Sequence, residues 1–315
     1  MRAKRVTMKD VSVAAGVSQA TVSFVLNDKP TETISPETRD RVRRAAAELG
    51  YVPNGSARAL REGTSRIVIL NVARLPHGGT GLAAFIDALD AELERLDHML
   101  LVRYRVGADD IGRLTAMVSP RAVLDLDRIY DSPDAERADG GWTEGLAAHT
   151  AVQIRHLVGT GHEYIGLALP SSRVPAGLAR LAALRVGYAR RVLEDLRMPQ
   201  PHTLTLGPSA IDDRRSLAEF VERHPQVTAI AGLDDETALR VLAAASALRL
   251  DVPGRIAVIG FDDAGQGEFA TPSLTTVRID TAAFGRRLAR TTLGLPADPM
   301  APTPAAAVVV RRDSA

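Results

Sequence analysis

Apolar residues recur at helical spacing through the first fifty residues and predict three short helices. The segment 6–27 contains two such stretches, separated by a glycine, and residues 39–49 form a third. Positions three and four residues apart lie on the same side of a helix, so each stretch buries one face. The predicted inner positions are Val11, Ala14 and Ala15, then Val22, Val25 and Leu26, and finally Val42, Ala45, Ala46 and Leu49.

The residues between these stretches have the chemistry of helix ends and turns. Thr7, Ser18 and Ser35 can each accept a hydrogen bond from a free backbone N–H at a helix start, and Pro36 suits a first helical position. Gly16 can adopt positive φ in the turn without steric cost. Residues 6–27 are therefore predicted to form a helix-turn-helix, whose second helix can enter the major groove of DNA. Spacing alone would also fit an ordinary helical hairpin.

From Arg66 onward, short β-rich runs alternate with segments of helical period. Such alternation indicates parallel sheets covered by helices, which is an α/β fold. The most regular helix carries its apolar residues along one face from Leu82 to Leu96, with charged residues opposite. Strands are predicted at 67–72, 99–104, 122–126, 164–169, 227–231 and 255–261, and further helices at about 176–197, 212–223 and 235–248.

Composition adds a division of charge between the two ends of the chain. The 315 residues have a net charge of +1, yet residues 1–66 hold 12 Lys and Arg against 7 Asp and Glu. The head is thus basic and suits the phosphates of a nucleic acid. The chain has no cysteine, which excludes disulfides and thiolate metal sites. No export signal or membrane-length apolar run is found, so we expect a cytoplasmic protein.

The residues from Val6 to Leu60 resemble the DNA-binding head of the lactose- and galactose-repressor (LacI/GalR) family. The resemblance implies a hinge helix at residues 54–60 that orders on operator DNA in a homodimer, with Leu60 inserted between base pairs. Alternatively, these residues are a linker whose Leu60 packs on the next domain. The matching motifs are Asp10-Val11, Ala15-Gly16-Val17-Ser18, Thr21-Val22-Ser23, Val25-Leu26-Asn27, Leu49-Gly50-Tyr51-Val52-Pro53-Asn54 and Ala57-Arg58-Ala59-Leu60.

The rest of the chain resembles the effector-binding domain of the same family, which has the fold of periplasmic sugar-binding proteins. The expected organisation is an all-α helix-turn-helix head at 1–53, a hinge helix and linker at 54–65, and an effector-binding and dimerisation domain of two parallel-sheet α/β subdomains at 66–315. The matching motifs are Gly161-His162-Glu163-Tyr164-Ile165-Gly166, Gly187-Tyr188, Asp234-Asp235, Val258-Ile259-Gly260-Phe261-Asp262-Asp263 and Thr271-Pro272-Ser273-Leu274-Thr275-Thr276-Val277.

The start of the second helix is expected to read bases. Gln19 could pair with adenine, and Ala20 could touch a thymine methyl. Phe24 stands where many family members carry arginine, so this ring could pack on a thymine methyl or on the head itself. Basic candidates for phosphate contacts are Arg2, Lys4, Arg5, Lys9, Lys29 and Arg39. The expected DNA contacts are Thr7, Ser18, Gln19, Ala20, Thr21, Ser23, Phe24, Asn27, Asn54, Ala57 and Leu60.

Four residues are candidates for contact with a small-molecule effector. Asp262 and Asp235 follow predicted strands, and ligands of open α/β sheets bind beyond the carboxyl ends of strands; helix capping is the alternative for both. Relatives place an arginine three residues before the glycine matching Gly187, whereas here Arg185 is one position later, about 100° round a helix. His77 lies in the loop 75–81, which replaces the aromatic-rich loop of relatives.

These features predict a sequence-specific transcriptional regulator, most simply a repressor, that binds a pseudo-palindromic operator as a homodimer under the control of a sugar or other metabolite. Two alternatives stay open, a solute-binding protein without a DNA role and a regulator that has lost effector control. An α/β enzyme is not expected, because no catalytic motif is present and Gly159-Thr160-Gly161 lacks the strand–helix context of a dinucleotide loop. No cofactor, metal or membrane partner is expected.

Overall fold

The computed structural model describes residues 6–26, 34–51, 63–72, 80–104, 110–125, 142–171, 176–300 and 306–315. The chain divides into two compact units, Met1–Ser65 and Arg66–Ala315. The first is helical and the second contains parallel sheets covered by helices, so the predicted fold class is confirmed.

Three helices form the first unit: α1 (Met8–Ala15), α2 (Gln19–Leu26) and α3 (Pro36–Glu48). Their shared core contains most of the predicted inner positions. Two predictions are wrong. Ala14 is exposed, and Ser12 is buried in its place with its hydroxyl donating to the Lys9 carbonyl at 2.8 Å. Leu49 is 38% exposed because it follows the last residue of α3 as a cap. The buried core residues are Val11, Ala15, Val22, Val25, Val42, Ala45 and Ala46.

The helix ends of this unit are capped as predicted. The Thr7 hydroxyl accepts from the Asp10 N–H, and the Asp10 carboxylate accepts from the Thr7 N–H at 2.8 Å. Gly16 ends α1 with φ +63°, a conformation that a residue with a Cβ reaches only with strain. The Ser18 hydroxyl accepts from the Thr21 N–H at 3.1 Å, and the Ser35 hydroxyl caps α3. These local bonds fix where α1 ends and where α2 and α3 begin.

The second unit begins with a three-stranded parallel sheet. Its elements are β1 (Ile67–Asn71), α4 (Thr80–Arg95), β2 (Met99–Arg103), α5 (Asp110–Val118) and β3 (Ala122–Asp125), with strand order β2-β1-β3. The three strands and α4 were predicted, whereas α5 was not. The core between β1 and α4 is built from Val68, Leu70, Val72, Phe85, Leu89 and Leu93.

A four-stranded parallel sheet follows, with strand order β5-β4-β6-β7. One apolar cluster covers each of its faces, which explains why its strands read as nearly continuous apolar runs. Of its elements, α6 and β5 were not predicted, and the observed strands β6 and β7 are shorter than the predicted ones. The elements are α6 (Trp142–Gly159), β4 (Ile165–Leu169), α7 (Ala176–Asp195), β5 (His202–Thr205), α8 (Ala210–Arg223), β6 (Ala229–Gly232), α9 (Asp235–Ala247) and β7 (Ala257–Ile259).

The last elements connect the two sheets. A 3₁₀ turn (Gln266–Phe269) precedes β8 (Thr276–Arg278), which pairs antiparallel with β9 (Val308–Val310). Helix α10 (Thr281–Thr292) lies between β8 and β9 in sequence and packs on α4. None of these three elements was predicted. Because α10 returns to the first sheet after the second has been completed, the core of the first sheet is built from two separate stretches of chain.

Helices α4 and α10 approach so closely that only glycine fits at position 285. A Cβ on Gly285 would lie 2.4 Å from the Phe85 carbonyl oxygen and 2.9 Å from the Leu89 nitrogen, both backbone atoms of α4. Backbone atoms cannot move aside as a flexible side chain can. A side chain at this position therefore requires the two helices to separate.

We predict that Gly285→Ala lowers the free energy of unfolding by about 3 kcal/mol, because the helices must move apart and lose packing. The measurement is urea unfolding followed by the fluorescence of Trp142, the only tryptophan in the sequence. Gly187→Ala is the matched control, since it also lies within a helix but a Cβ there meets no atom within 4 Å. It should be neutral or stabilising by up to about 1 kcal/mol. Equal effects of the two substitutions would contradict the close-packing explanation.

Candidate functional site

The outer face of α2 presents the residues expected to read DNA. Gln19 and Ala20 are exposed, while Ser23 and Phe24 are half-buried, and the opposite side of the helix lies in the core of the head. The hydroxyls of Ser18 and Thr21 are 2.9 Å apart and belong to the helix cap. Thr7 caps α1. Asn27, Asn54, Ala57 and Leu60 lie outside the described residues, so their predicted contacts stay predictions.

Exposed basic side chains of the head lie on α1 and α3. Lys9, Arg43 and Arg44 are exposed, which suits contact with phosphates. Arg41 has in addition a structural role, because its Nε donates to the Ala15 carbonyl at 2.9 Å and so ties α3 to the end of α1. Arg39 is half-buried. The other phosphate candidates, Arg2, Lys4, Arg5 and Lys29, lie outside the described residues.

In the second unit, a pocket of about 580 Å³ lies at the carboxyl end of the four-stranded sheet. The loops after β4, β5 and β6 form its walls, as expected for an open α/β sheet. Its polar lining includes Asp234, Glu236 and an ion pair in which Arg240 donates from Nε and Nη2 to the Asp213 carboxylate at 2.9 and 2.8 Å. The lining residues are Pro170, Ser171, Leu178, Gly207, Pro208, Ser209, Ala210, Asp213, Asp234, Glu236, Thr237 and Arg240.

Asp262 lies beyond β7 and faces the first sheet's helix α4. A Cβ placed on Gly81, near the start of α4, would be 3.8 Å from the Asp262 carboxyl carbon. The backbone of Asp262 has φ +97°, which L-residues rarely adopt, and such strain is typical of functional positions. Burial raises the pKa of this carboxyl to about 7, opposed by the charge of Arg185 and reinforced by the nearby charges of Asp234 and Asp235.

Arg185 is buried and supports the loops that follow β6 and β7 by contacting Leu233 and Phe261. Its side chain is 5% exposed, and the guanidinium carbon lies 3.6 Å from the centre of the Phe261 ring. Nη1 donates to the Leu233 carbonyl, Nη2 to Gln153 Oε1 at 2.5 Å, and Nε to Thr150 Oγ1 at 3.3 Å. All three donor nitrogens are thus occupied within the protein. Burial lowers the pKa of Arg185 to about 10, against the favourable charges of Asp262 and Asp234, so it stays cationic at neutral pH.

Gln153, which lies on the same helix as Thr150, also supports the ends of these two strands. Its Nε2 donates to the carbonyls of Gly232 and Gly260 at 3.0 and 2.9 Å, at the ends of β6 and β7. Neighbouring strand ends are thereby held by one amide group. Sequence reasoning missed Gln153, although a polar side chain on the apolar face of α6 was a detectable signal.

The two adjacent aspartates differ in their roles. Asp235 is 1% exposed, and its carboxylate accepts from the Ala264 N–H at 2.6 Å and from the Thr276 hydroxyl at 2.5 Å. Both oxygens are therefore occupied: one holds the loop that carries Asp262, and the other ties the start of α9 to β8. Asp234 caps α9 through one oxygen, with the Thr237 N–H at 2.7 Å, and lines the pocket. The sequence predicted Asp235, and not Asp234, as an effector contact.

His149 lies between two aromatic rings and close to the charge of Arg185. Its ring centroid is 6.4 Å from that of Phe261 and 6.3 Å from that of Phe284. Burial, followed by repulsion from Arg185, lowers the pKa of His149 to about 4. The imidazole is therefore neutral at physiological pH, and Arg185 supplies the positive charge of this region. His77, the remaining effector candidate, lies outside the described residues.

In the parts of the chain that the structure describes, no three histidine, cysteine or carboxylate side chains converge as ligands for a metal ion. None of the helices in the same ranges has the length and apolar character needed to cross a bilayer.

We predict that Arg185→Met lowers the free energy of unfolding by about 3 kcal/mol, because Leu233 and Gln153 lose buried donors and Asp262 loses its cation. Urea unfolding followed by Trp142 fluorescence measures the change. Arg190→Met on the same helix is the control, since Arg190 is exposed. It should change stability by less than about 0.5 kcal/mol. A loss no larger for Arg185 than for Arg190 would show that Arg185 is not a support.

Asp262 should make stability pH-dependent. Its folded pKa is above the value in the unfolded chain, so the folded state binds the proton more tightly and wild-type stability falls as pH rises from about 4 to 7. We predict that the stability of Asp262→Asn relative to wild type increases by about 2 kcal/mol between pH 5 and pH 8. Urea unfolding at both pH values measures this change. Exposed Asp195→Asn serves as the control, and parallel pH profiles for Asp262→Asn and wild type would refute the assignment.

Comparison with known proteins covers both units. A model of bacterial regulatory proteins of the lacI family matches residues 7–54, and a model of a periplasmic binding protein-like domain matches residues 154–315. The curated relatives include the transcriptional regulator CelR of Thermobifida fusca, 30% identical over 92% of this chain and 91% of that protein. They also include the regulator reg1 of Streptomyces lividans, 31% identical over 91% of this chain and 89% of that protein.

Solved structures show the same fold. The lac repressor dimer bound to operator and the anti-inducer ONPF aligns with a TM-score of 0.72 at 22% identity, covering 99% of both chains. The complex of the regulator CelR with cellobiose aligns with a TM-score of 0.57 at 21% identity, covering 99% of this chain and 100% of that one. With a lacI-type head, a binding-protein-like body and full-length regulators as relatives, the chain belongs to the LacI family of bacterial transcriptional regulators.

Proposed function

We propose that this protein is a sequence-specific, effector-controlled repressor that binds a pseudo-palindromic operator as a homodimer in the cytoplasm. The observation that carries the proposal is the orientation of α2. Its apolar side is buried in the head, and Gln19 and Ala20 are left exposed at the start of the helix. In a helix-turn-helix, these positions contact base edges in the major groove.

The candidate contacts divide into two kinds. The first kind, proposed to contact the bases, consists of Gln19, Ala20, Ser23 and Phe24 of α2. The second kind, proposed to contact the DNA backbone from the helix starts, consists of Thr7, Ser18 and Thr21. Contacts by Asn27, and by Asn54, Ala57 and Leu60 of the hinge, are proposed from the family resemblance alone. Symmetric half-sites follow from a dimer, because each head reads one of them.

The effector is proposed to be a small polar molecule held between the two sheets. Asp262 and Asp234 are the best-placed contacts, since Asp262 faces α4 and Asp234 lines the pocket. Arg185 and Asp235 are proposed to hold the loops that carry them, while His77 is proposed from its position in the sequence. A carbohydrate is a reasonable first ligand to test, because CelR has been crystallised with cellobiose.

Control of DNA binding would follow from linkage. An effector that binds one arrangement of the two sheets more tightly shifts the protein toward that arrangement, by no more than its differential affinity. A solute-binding protein without a DNA role would have no use for the basic capped head. Loss of effector control is the alternative within the same family, and catalysis is not proposed, because the relatives are regulators.

We predict that the purified full-length protein protects a symmetric site in the DNA upstream of its own coding region at moderate salt. Gln19→Ala should weaken binding to that site about ten-fold, since one bidentate base contact contributes 1–3 kcal/mol of discrimination, and leave binding to unrelated DNA nearly unchanged. Footprinting and titration against both DNAs measure this.

Gln226→Ala is the matched control, because it removes the same side chain from the second unit. This variant should bind the operator like the wild type. If neither the upstream region nor a pool of random duplexes yields a preferred site, the proposed function is wrong. A thermal-shift screen of carbohydrates and other metabolites, followed by titration of DNA binding with each hit, tests effector control separately.

A further inference from the structure

Helix α2 contains no charged residue. Its sequence from Gln19 to Leu26 has one amide and two hydroxyl side chains, and the other five residues are apolar. Proteins most often read a base pair through an arginine or lysine that contacts guanine O6 and N7. This chain has neither side chain on the helix that is proposed to enter the major groove.

The helix cap occupies part of the polar groups at the start of α2, so fewer of them are available for bases. The Thr21 hydroxyl lies 2.9 Å from the Ser18 hydroxyl, which itself accepts from the Thr21 N–H. Ser23 is half-buried, whereas Gln19 is exposed at the first position of the helix. The long polar side chain available for base contact is therefore Gln19, whose amide matches the N6 and N7 edge of adenine.

An apolar strip runs along the same side of the helix. Ala20 and Phe24 are four residues apart and so lie one above the other, about 6 Å apart. Ala20 is exposed and Phe24 is half-buried, so part of the Phe24 ring is accessible on this side of the helix. This separation corresponds to nearly two base steps of about 3.4 Å along the DNA. In the major groove, the base group that an apolar side chain contacts favourably is the methyl group of thymine.

The positive charge of the head lies on other elements. Lys9 is on α1, and Arg43 and Arg44 are on α3, all of them exposed. Such residues supply affinity for phosphates without sequence information. Charge and base recognition are thus carried by different helices, so the base preference depends on Gln19, Ala20 and Phe24.

We infer that α2 selects A·T base pairs, with Gln19 on adenine and Ala20 and Phe24 on thymine methyl groups, and that Phe24 excludes the guanine contact that an arginine would make. The inference rests on the proposed function and adds the class of half-site. It assigns Phe24 a specificity role toward DNA.

The first test selects binding sites from a pool of duplexes randomised over about 20 base pairs, using the full-length wild-type protein at moderate salt. The expected result is a symmetric site with A·T pairs at the positions facing α2 in each half. Selected guanines at those positions would overturn the inference and leave the proposed function standing. A pool from which no sequence is enriched would instead contradict the proposed function.

The second test removes only the thymine methyl groups and leaves the protein unchanged. Deoxyuridine replaces thymine at each contacted position of the selected site, and affinity is measured by titration. We expect a three- to ten-fold loss at the thymine facing Phe24, and no such loss for Phe24→Ala, whose fold is checked by circular dichroism. Equal affinity of the wild type for thymine and deoxyuridine sites would overturn the assignment of Phe24.

A third test restores the missing charge. Phe24→Arg should gain a preference for guanine of about ten-fold at one position in each half-site. Val13→Arg is the matched control, because Val13 lies on α1, is 75% exposed, and gains the same charge away from α2. That variant should bind all duplexes more tightly and acquire no new base preference. A similar unspecific gain for Phe24→Arg would show that position 24 does not face the bases.

Discussion

The ligand side of this protein depends on a buried cation that supports the ends of two parallel strands. Parallel strands end at one edge of a sheet, and their terminal carbonyls and loops then need polar partners that water cannot supply. Arg185 and Gln153 provide those partners from two different helices, through the Leu233, Gly232 and Gly260 carbonyls. Removing either side chain would leave buried acceptors without donors.

This support also determines the electrostatics of the proposed effector site. Arg185 is held among neutral groups, so its charge acts on Asp262 and Asp234 across the loops it supports. Burial nevertheless outweighs that attraction at Asp262, and the carboxyl is partly protonated near neutral pH. A partly protonated acid in a strained backbone, facing the helix of the other sheet, is poised to respond to a polar ligand. In the proposed function, such a group would connect ligand binding with the arrangement of the two sheets.

In the proposed mode of DNA recognition, the head separates two tasks that are often combined. In many DNA-reading helices one arginine supplies both charge and base recognition. Here α2 is neutral, and the basic side chains among the described residues of the head lie on α1 and α3. The apolar residues Ala20 and Phe24 can then contact methyl groups without the cost of desolvating a cation. If so, affinity and specificity can change independently in this chain.

Local features of the sequence were enough to predict much of this molecule. The caps at Thr7 and Ser18, the turn at Gly16 and the position of Asp262 beyond a strand depend on neighbours within a few residues, so they can be read along the chain. The predicted core positions Ala14 and Leu49 were wrong. Three- and four-residue spacing identifies the buried face poorly in a helix shorter than three turns, and it does not apply to a residue at a helix cap. Helices α6 and α10 were missed because both have polar and small residues where they pack closely on other elements.

By itself, the sequence determined the capped head, the parallel α/β body and the family, because these depend on periodicity, turn chemistry and motifs at fixed spacing. Only the tertiary structure decided the direction of Arg185, which a one-residue shift turns by about 100° round α7. It also decided that Asp235 is saturated with internal hydrogen bonds, whereas Asp234 lines the pocket. The two adjacent aspartates differ because the partners of Asp235, Ala264 and Thr276, come from distant parts of the chain, whereas Asp234 accepts from the neighbouring Thr237.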